Sequence, residues 1–262
     1  MSYVVDSSFA LIEGRYNDDN REKIKEEMEL TGMDTIELLH ISSWSPEFCN
    51  SDELPKLLED LQPFYVEIPA YISDTDEGRE CRKIIKDYCG NSIYAELFES
   101  GPKTLLYPAN LDEIDYIDVI LSPLTYSNDN VDNAVVKLFK RGRFSVLNAS
   151  TMSADNGIVK SLGDANLLDC IDILVARDVE SSDSLFVNQI IAKTTPSVIL
   201  DTINHYVYTT NYPDLSCGLF STSILVNHDL LVRMNAVVVP FRNAESQDVI
   251  LQGKSYTRRK LG

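Results

Sequence analysis

The chain has 262 residues, of which 23 are lysine or arginine and 41 are aspartate or glutamate, giving a formal net charge of −18. This length buries enough apolar surface for one large domain or two small ones. Such a negative charge repels phosphate backbones and anionic lipid surfaces, which argues against direct nucleic-acid binding and against a membrane function.

Targeting signals and disulfide patterns are not evident in the sequence. Residues 1–16 have no basic segment before an apolar run, so no secretory signal is predicted. No stretch approaches the roughly 18 apolar residues that span a bilayer. The five cysteines are an odd number with no C-x-x-C spacing. This pattern favours a reduced, cytoplasmic protein over a disulfide framework.

The first part of the chain alternates between β-branched runs and amphipathic segments. Extended structure is predicted at 2–14, and strands are predicted at 34–42 and 64–69. Helices are predicted at 19–32, capped by Asp18 or Asp19, and at 51–61. A third helix is predicted to begin at a capping pair formed by Asp74 and Glu77 and to end at Gly90. In the second helix, leucines at 54, 57, 58 and 61 form a buried stripe, and Pro55 fits only in the first turn, which sets a start near 50–52.

The second part is richer in strands. The predicted strands are SIYAELF, KTLLYP, YIDVILSPL, AVVKLFK, RFSVLNA, DILVA, SVILDT, NHYVYTT, NAVVVPF and QDVILQ, with a hairpin turn at 140–143 and helices near 155–168, 182–193 and 227–234. Strand–helix alternation with meander strands favours an α/β protein with large mixed sheets. Because no linker or repeat interrupts the pattern, residues 1–262 are predicted to form a single domain.

Common catalytic motifs are missing from the sequence. The glycines make neither a dinucleotide-binding nor a P-loop pattern, and there is no G-x-S-x-G or H-E-x-x-H. His40, His205 and His228 lie far apart in the sequence and are expected to be structural. Residue patterns alone therefore predict an α/β domain without assigned chemistry.

One segment nevertheless resembles a known family. The order strand, helix, strand, then SSWSPEFCN, a leucine-rich helix and LQPFYVEIP resembles the metallo-β-lactamase superfamily, and most of all the soluble domain of DNA-uptake competence proteins. In that family the strand ends in a Thr/Ser-His-x-His-x-Asp-His motif. Here Ser43 and Ser45 stand at the first two histidines, Glu47 at the aspartate and Phe48 at the last histidine.

The resemblance continues along the chain. FALIEGR, NAVVKLFKRGRFSVLNAS and CIDILVARDVESSDSLFVNQII are similar to successive family segments, whereas residues 203–262 match only loosely. In these segments Ser150 falls at the metal-bridging carboxylate and Asp178 at a histidine pair. The resemblance implies a four-layer αββα sandwich, in which two mixed sheets are flanked by helices.

The departures from the family motif decide the expected chemistry. A catalytic zinc site needs about three protein ligands, in this class chiefly imidazoles, and an open position for water. The matched positions are vestigial and carry no imidazole: Ser43, Ser45, Glu47, Phe48, Ser150 and Asp178. We therefore expect no zinc or other cofactor and no catalytic residue, with Trp44 and His205 as possible lining of the vacated pocket.

The leading hypothesis is an inactive metallo-β-lactamase-like protein that binds a protein partner, either an active homologue or a second copy of itself. One alternative is a metal-dependent phosphodiesterase or nuclease that uses Glu47, Asp178, Asp201 and His205 as unorthodox ligands. Another is a small-ligand sensor that uses the vacated pocket. Trp44 either anchors a partner or packs over the pocket. The basic segment Arg258–Lys260 is either a partner-binding tail or a frayed end.

Overall fold

The computed structural model describes residues 2–5, 8–100, 116–121, 134–141, 144–150, 171–176, 194, 196, 198–201, 206–210, 236–240, 247–252 and 255–260. The chain divides into two compact units, the first comprising Met1–Leu105 and Leu121–Val135 and the second comprising Leu106–Ile120 and Val136–Gly262. The single domain predicted for residues 1–262 stays a prediction.

The first unit contains a five-stranded sheet in the order β1-β2-β3-β4-β5. Its strands are β1 (Ser2–Val5), β2 (Ser8–Ile12), β3 (Leu38–His40), β4 (Tyr65–Pro69) and β5 (Glu96–Ser100). β1 and β2 pair antiparallel, and the other neighbours are parallel. The carboxyl ends of β2 to β4 consequently lie at one edge of the sheet, where open α/β sheets bind their ligands.

Among the described residues of this unit, three helices accompany the sheet: α1 (Asp18–Thr31), α2 (Leu54–Leu61) and α3 (Asp76–Asn91). The leucine stripe of α2 is confirmed, since all four leucines are buried. They pack in one core with Leu39, Val66 and Ile85. This burial of apolar side chains is the main favourable term that holds the helices against the strands.

The helix boundaries differ from the predictions in three places. Asn17, rather than Asp18 or Asp19, caps α1 by accepting from the Asn20 amide. A turn at 51–53, held by the Asn50 carboxamide, delays the start of α2 to Leu54 and leaves Pro55 in its first turn. The predicted Asp74–Glu77 capping pair was wrong, because Thr75 caps α3. The helix also continues past Gly90, where it was predicted to end.

The second unit contains a seven-stranded sheet in the order β12-β11-β10-β9-β8-β7-β6. The strands are β6 (Tyr116–Leu121), β7 (Val136–Arg141), β8 (Phe144–Asn148), β9 (Ile173–Ala176), β10 (Val198–Asp201), β11 (Tyr206–Thr210) and β12 (Ala236–Pro240). β9 pairs in parallel with both β8 and β10. The pairs β7–β8, β10–β11 and β11–β12 are antiparallel. The Arg141–Phe144 pairing confirms the predicted β7–β8 hairpin.

A separate two-stranded sheet joins β13 (Gln247–Gln252) and β14 (Ser255–Lys260). The basic segment Arg258–Lys260 therefore lies in a paired strand, and its interpretation as a frayed end was wrong. The predicted strand KTLLYP and the predicted helices near 155–168, 182–193 and 227–234 lie outside the described residues.

The α/β class with two mixed sheets is confirmed. The four-layer stacking of those sheets stays a prediction. In the described parts of the chain, no helix has both the length and the apolar character needed to cross a bilayer.

Candidate functional site

The loop formed by residues 41–50 follows β3 at the carboxyl edge of the first unit's sheet. It contains four of the six positions predicted to be vestigial, together with Trp44. Ser43 is buried, Ser45 is half-buried, Phe48 is buried and Glu47 is exposed. The carboxylate at this set of positions therefore faces solvent, while the residues at the first and last histidine positions lie inside the protein.

Trp44 fills the space behind this loop. Its side chain is 0% exposed and belongs to the core of the first unit. The indole Nε1–H donates to the Tyr71 carbonyl at 3.0 Å, and the Trp44 amide donates to the Tyr71 hydroxyl at 2.8 Å. Of the two alternatives for Trp44, the structure favours packing, because a fully buried ring presents no surface to a partner.

The serines of the loop take part in the same network. Ser43 Oγ lies 3.1 Å from the Tyr71 hydroxyl, and the Ser45 amide donates to Ser43 Oγ at 3.2 Å. Buried polar groups are stable only when they are hydrogen-bonded in this way. The Ser43 hydroxyl thus links the loop to Tyr71, and the Ser45 amide bonds to that same hydroxyl.

Glu13, which directly follows β2, also hydrogen-bonds to the loop. Its carboxylate accepts the Ser42 amide at 3.1 Å and also the Ser42 hydroxyl. Glu13 adopts a left-handed conformation with φ of 74°, and its amide donates to the His40 carbonyl at 2.7 Å. Burial raises the pKa of Glu13 above its ordinary value of 4.5, although the charge of His40 and the bonds from Ser42 act to lower it.

His40 is a core residue of β3, as the sequence predicted for a structural histidine. Its side chain is 1% exposed, and Nδ1 lies 3.0 Å from Glu67 Oε2 on β4. Its Nε2 is buried and has no hydrogen-bond partner among the described residues. A histidine oriented by a carboxylate resembles a general base in its bonding, but complete burial separates this ring from any substrate in solution.

Two charged contacts fix the outer side of the loop. The Arg15 guanidinium binds Glu53 through two hydrogen bonds of 2.8 and 2.9 Å and donates to the Pro46 carbonyl at 2.9 Å. The Glu77 carboxylate accepts the Ser51 amide at 2.6 Å and the Ser51 hydroxyl at 3.0 Å. Bidentate arginine–carboxylate pairs add geometric rigidity as well as energy.

The Cys49 thiol lies near the end of the loop and is buried. Burial raises the pKa of Cys49 well above its ordinary value, and the adjacent Cys81 thiol and the Glu13 and Glu77 carboxylates act in the same direction. The thiolate is the reactive form of cysteine. A nucleophilic role for Cys49 is therefore disfavoured.

The remaining predicted positions are placed elsewhere or not described. Ser150 belongs to the second unit, where it is buried and donates to Asn148 Oδ1 at 2.8 Å. Asp178 and His205 lie outside the described residues. Among the residues that are described, no three histidine, cysteine, aspartate or glutamate side chains are arranged to hold a metal ion.

Sequence reasoning missed a cavity at the opposite, amino edge of the same sheet. It has a volume of about 470 Å³, and we name it the aromatic cavity. Its lining residues are Phe9, Gly32, Met33, Asp34, Thr35, Glu37, Phe64, Tyr65, Tyr94 and Glu96. The alternation of apolar and polar residues along the strands did not predict this cavity, because apolar residues of strands are expected to be buried.

Comparison with known proteins gives a likeness in structure alone. No protein-family model and no curated protein matches the sequence. The metallo-β-lactamase fold protein YhfI from Bacillus subtilis is similar with a TM-score of 0.46 and 10% identity, over 77% of this chain and 76% of that one. The CmlA β-hydroxylase E377D mutant is similar with a TM-score of 0.42 and 11% identity, over 64% of this chain.

This chain spans only 36% of the CmlA chain. The competence-protein branch and the vestigial status of the matched positions stay predictions. Neither likeness assigns a role to a residue of this chain.

Proposed function

We propose that this chain is a non-catalytic binding protein built on a metallo-β-lactamase-like scaffold. The observation that carries the proposal is the buried Trp44, whose indole and amide are both bonded to Tyr71 at the edge where such a scaffold would hold its metal. A hydrolytic metal site needs an open coordination position for water. Here the side chains of Ser43 and Trp44 hydrogen-bond to Tyr71 instead.

The chemistry of the residues supports the same proposal. Hydroxyls and a phenyl ring replace the imidazoles at the matched loop positions, and the carboxylate of Glu47 faces outward. Zinc and other cofactors are accordingly not part of the proposed function. The partner is a protein, and the cytoplasmic location suggested by the cysteine pattern is part of the proposal.

Metal content tests the proposal directly. Untagged protein purified without chelator is analysed by mass spectrometry, and we expect less than about a tenth of an equivalent of zinc, manganese or iron, because a catalytic site requires about three ligands. The Glu47→Ala and Asp178→Ala variants are measured alongside. One or more equivalents in the wild type, lost in either variant and accompanied by phosphodiesterase activity, would refute the proposal and favour the metal-dependent hydrolase.

A further inference from the structure

The aromatic cavity presents unusually exposed rings. Phe64, Tyr65 and Tyr94 are 43%, 48% and 72% exposed, while Phe9 at the cavity is buried. Tyr65 and Glu96 are paired across the parallel strands β4 and β5, so a ring and a carboxylate lie side by side. Exposed aromatic faces carry negative electrostatic potential, which attracts cations placed over them.

The charged groups of the cavity are all hydrogen-bond acceptors. Asp34, Glu37 and Glu96 contribute carboxylates, and no lysine, arginine or histidine is among the lining residues. Within the described part of the chain, none of these three carboxylates forms an ion pair. A cavity of this composition repels phosphates and other anions and favours a cation.

Three backbone amides of the cavity strands donate to neighbouring carbonyls. The Glu37 amide donates to the Phe9 carbonyl at 2.8 Å, the Tyr65 amide to the Glu37 carbonyl at 2.8 Å and the Glu96 amide to the Phe64 carbonyl at 2.7 Å. These three amides are therefore not available to an occupant. The carboxylate oxygens accept hydrogen bonds from an occupant that supplies donors, as an ammonium or guanidinium group does.

The arrangement of the described carboxylates favours an organic cation over a metal ion. The three carboxylates are not among any described group arranged to hold a metal ion. Separated acceptors around apolar rings suit a long side chain, whose aliphatic stem packs on the rings while its charged end reaches a carboxylate. Arginine and lysine are the protein side chains of this form.

Two further apolar side chains, close in sequence to the lining residues, are also exposed. Ile93, next to Tyr94, is 85% exposed, and Phe98, two residues beyond Glu96 on β5, is 42% exposed. A contiguous apolar surface with a polar rim is typical of a protein-interaction site. An occupant that covers Ile93 and Phe98 as well as the cavity is larger than a free amino acid.

We propose that the aromatic cavity binds an arginine- or lysine-bearing segment of a partner protein. This inference rests on the proposed binding function and names the surface and the chemistry of the partner. The net charge of −18 draws such a segment towards the molecule from a distance, and the cavity then fixes where it binds.

Isothermal titration with a synthetic peptide, GLRGRLG, tests the inference on the full chain. The control peptide replaces both arginines by citrulline, which keeps the shape and removes the charge. We expect the arginine peptide to bind at least about tenfold more tightly than the citrulline peptide. Equal binding of the two peptides, or no heat with arginine peptide up to about 1 mM, overturns the inference.

Variants locate the binding. Tyr94→Ala and Glu96→Gln are each expected to weaken binding about fivefold or more, since each removes a cation contact. Their matched controls are Ile72→Ala and Glu59→Gln, which are exposed and do not line the cavity. Equal weakening by Glu59→Gln would show a distributed effect of net charge and overturn the assigned site.

The outcome is separable from that of the proposed function. Bound metal with hydrolysis refutes the non-catalytic function whatever the peptide does, whereas a metal-free protein whose peptide binding ignores Tyr94 and Glu96 refutes only this inference. Sedimentation velocity of the wild type and of Glu96→Gln tests whether a second copy of this chain occupies the cavity. Self-association lost in the variant would assign the cavity to a second copy of this chain in place of a different protein.

Discussion

Gly78 lies in the first turn of α3, where the helix approaches the 41–50 loop. An added Cβ would lie 2.3 Å from Ser73 Oγ, 2.6 Å from Ser73 Cβ and 3.0 Å from Trp44 Cβ. Two of these atoms are next to the backbone and cannot rotate away. We therefore expect Gly78→Ala to lower the free energy of unfolding by about 1–3 kcal/mol, measured by urea denaturation, although alanine is the better helix former.

Gly90 on the same helix is the matched control. Nothing lies within 4 Å of its added Cβ, and Gly90 is exposed. Gly90→Ala should raise the free energy of unfolding by up to about 1 kcal/mol through helix propensity alone. Equal stability of the two alanine variants would show that α3 does not pack against Trp44 as described.

Glu13 gives the loop network a pH dependence. Because burial raises its pKa above 4.5, the folded state binds the proton more tightly than the unfolded state does. The contribution of this group to stability is therefore present at low pH and is lost as the pH rises from 4.5 through the raised pKa. The variant Glu13→Gln keeps a neutral acceptor for Ser42. Because glutamine does not titrate, the variant does not lose stability in this way as the pH rises.

Urea unfolding between pH 4 and pH 8 measures the difference. We expect the stability of Glu13→Gln relative to the wild type to increase with pH, by no more than about 1.4 kcal/mol per pH unit. Glu59→Gln, on the exposed face of α2, should show a constant difference. A constant difference for Glu13→Gln as well would mean that Glu13 titrates alike in the folded and unfolded states.

At the scale of elements, Glu53 connects the start of α2 to the segment after β2. Burial acts to raise its pKa, but the Arg15 hydrogen bonds and the Tyr16 amide outweigh it and the pKa is lowered. Its stabilising contribution is thus present above the ordinary pKa of 4.5 and is lost as the pH falls through the lowered value.

Glu53→Gln removes this connection. Since the Arg15 side chain is 34% exposed, we expect a cost of only about 1 kcal/mol at neutral pH, with less at acid pH. Thermal unfolding of Glu53→Gln beside Glu59→Gln measures it, and the control should stay within about 0.5 kcal/mol of the wild type. A cost that grows towards acid pH would contradict the lowered pKa of Glu53.

The elements also show what the sequence can predict. The α2 stripe was predictable because spacing of three and four places leucines on one helix face, which is a local property. The α3 cap was not, because Asp74 and Thr75 are both suitable caps and Glu77 is engaged by Ser51, 26 positions away. The loop positions were predicted from a resemblance, whereas the Trp44–Tyr71 contact required the fold.

At the scale of the first unit, its sheet has two unlike edges. The carboxyl edge is closed by Trp44 and Tyr71, whereas the amino edge carries the aromatic cavity. Exposure of Tyr65 and Phe98 depends on their position on the last two strands of the sheet, which no local pattern encodes. The sequence therefore directed attention to one edge while the surface suited to binding lies at the other.

For the whole molecule, the single tryptophan distinguishes one domain from two. Trp44 is buried in the first unit, so its fluorescence reports unfolding there, whereas far-UV circular dichroism reports both units. The chain passes from the first unit to the second at 105–106 and again at 135–136, and returns between them at 120–121. The first unit is thus completed by residues 121–135, including the Val135 amide that donates to the Ser42 carbonyl at 2.9 Å.

Because neither unit is a continuous length of chain, we expect both to unfold in one cooperative transition. The fluorescence and circular dichroism curves in urea should coincide, with the same midpoint and slope. Gly78→Ala, which acts beside Trp44, should then shift both midpoints equally. A shift of the fluorescence midpoint alone would show that the units unfold independently, and the single domain predicted from the sequence would be wrong.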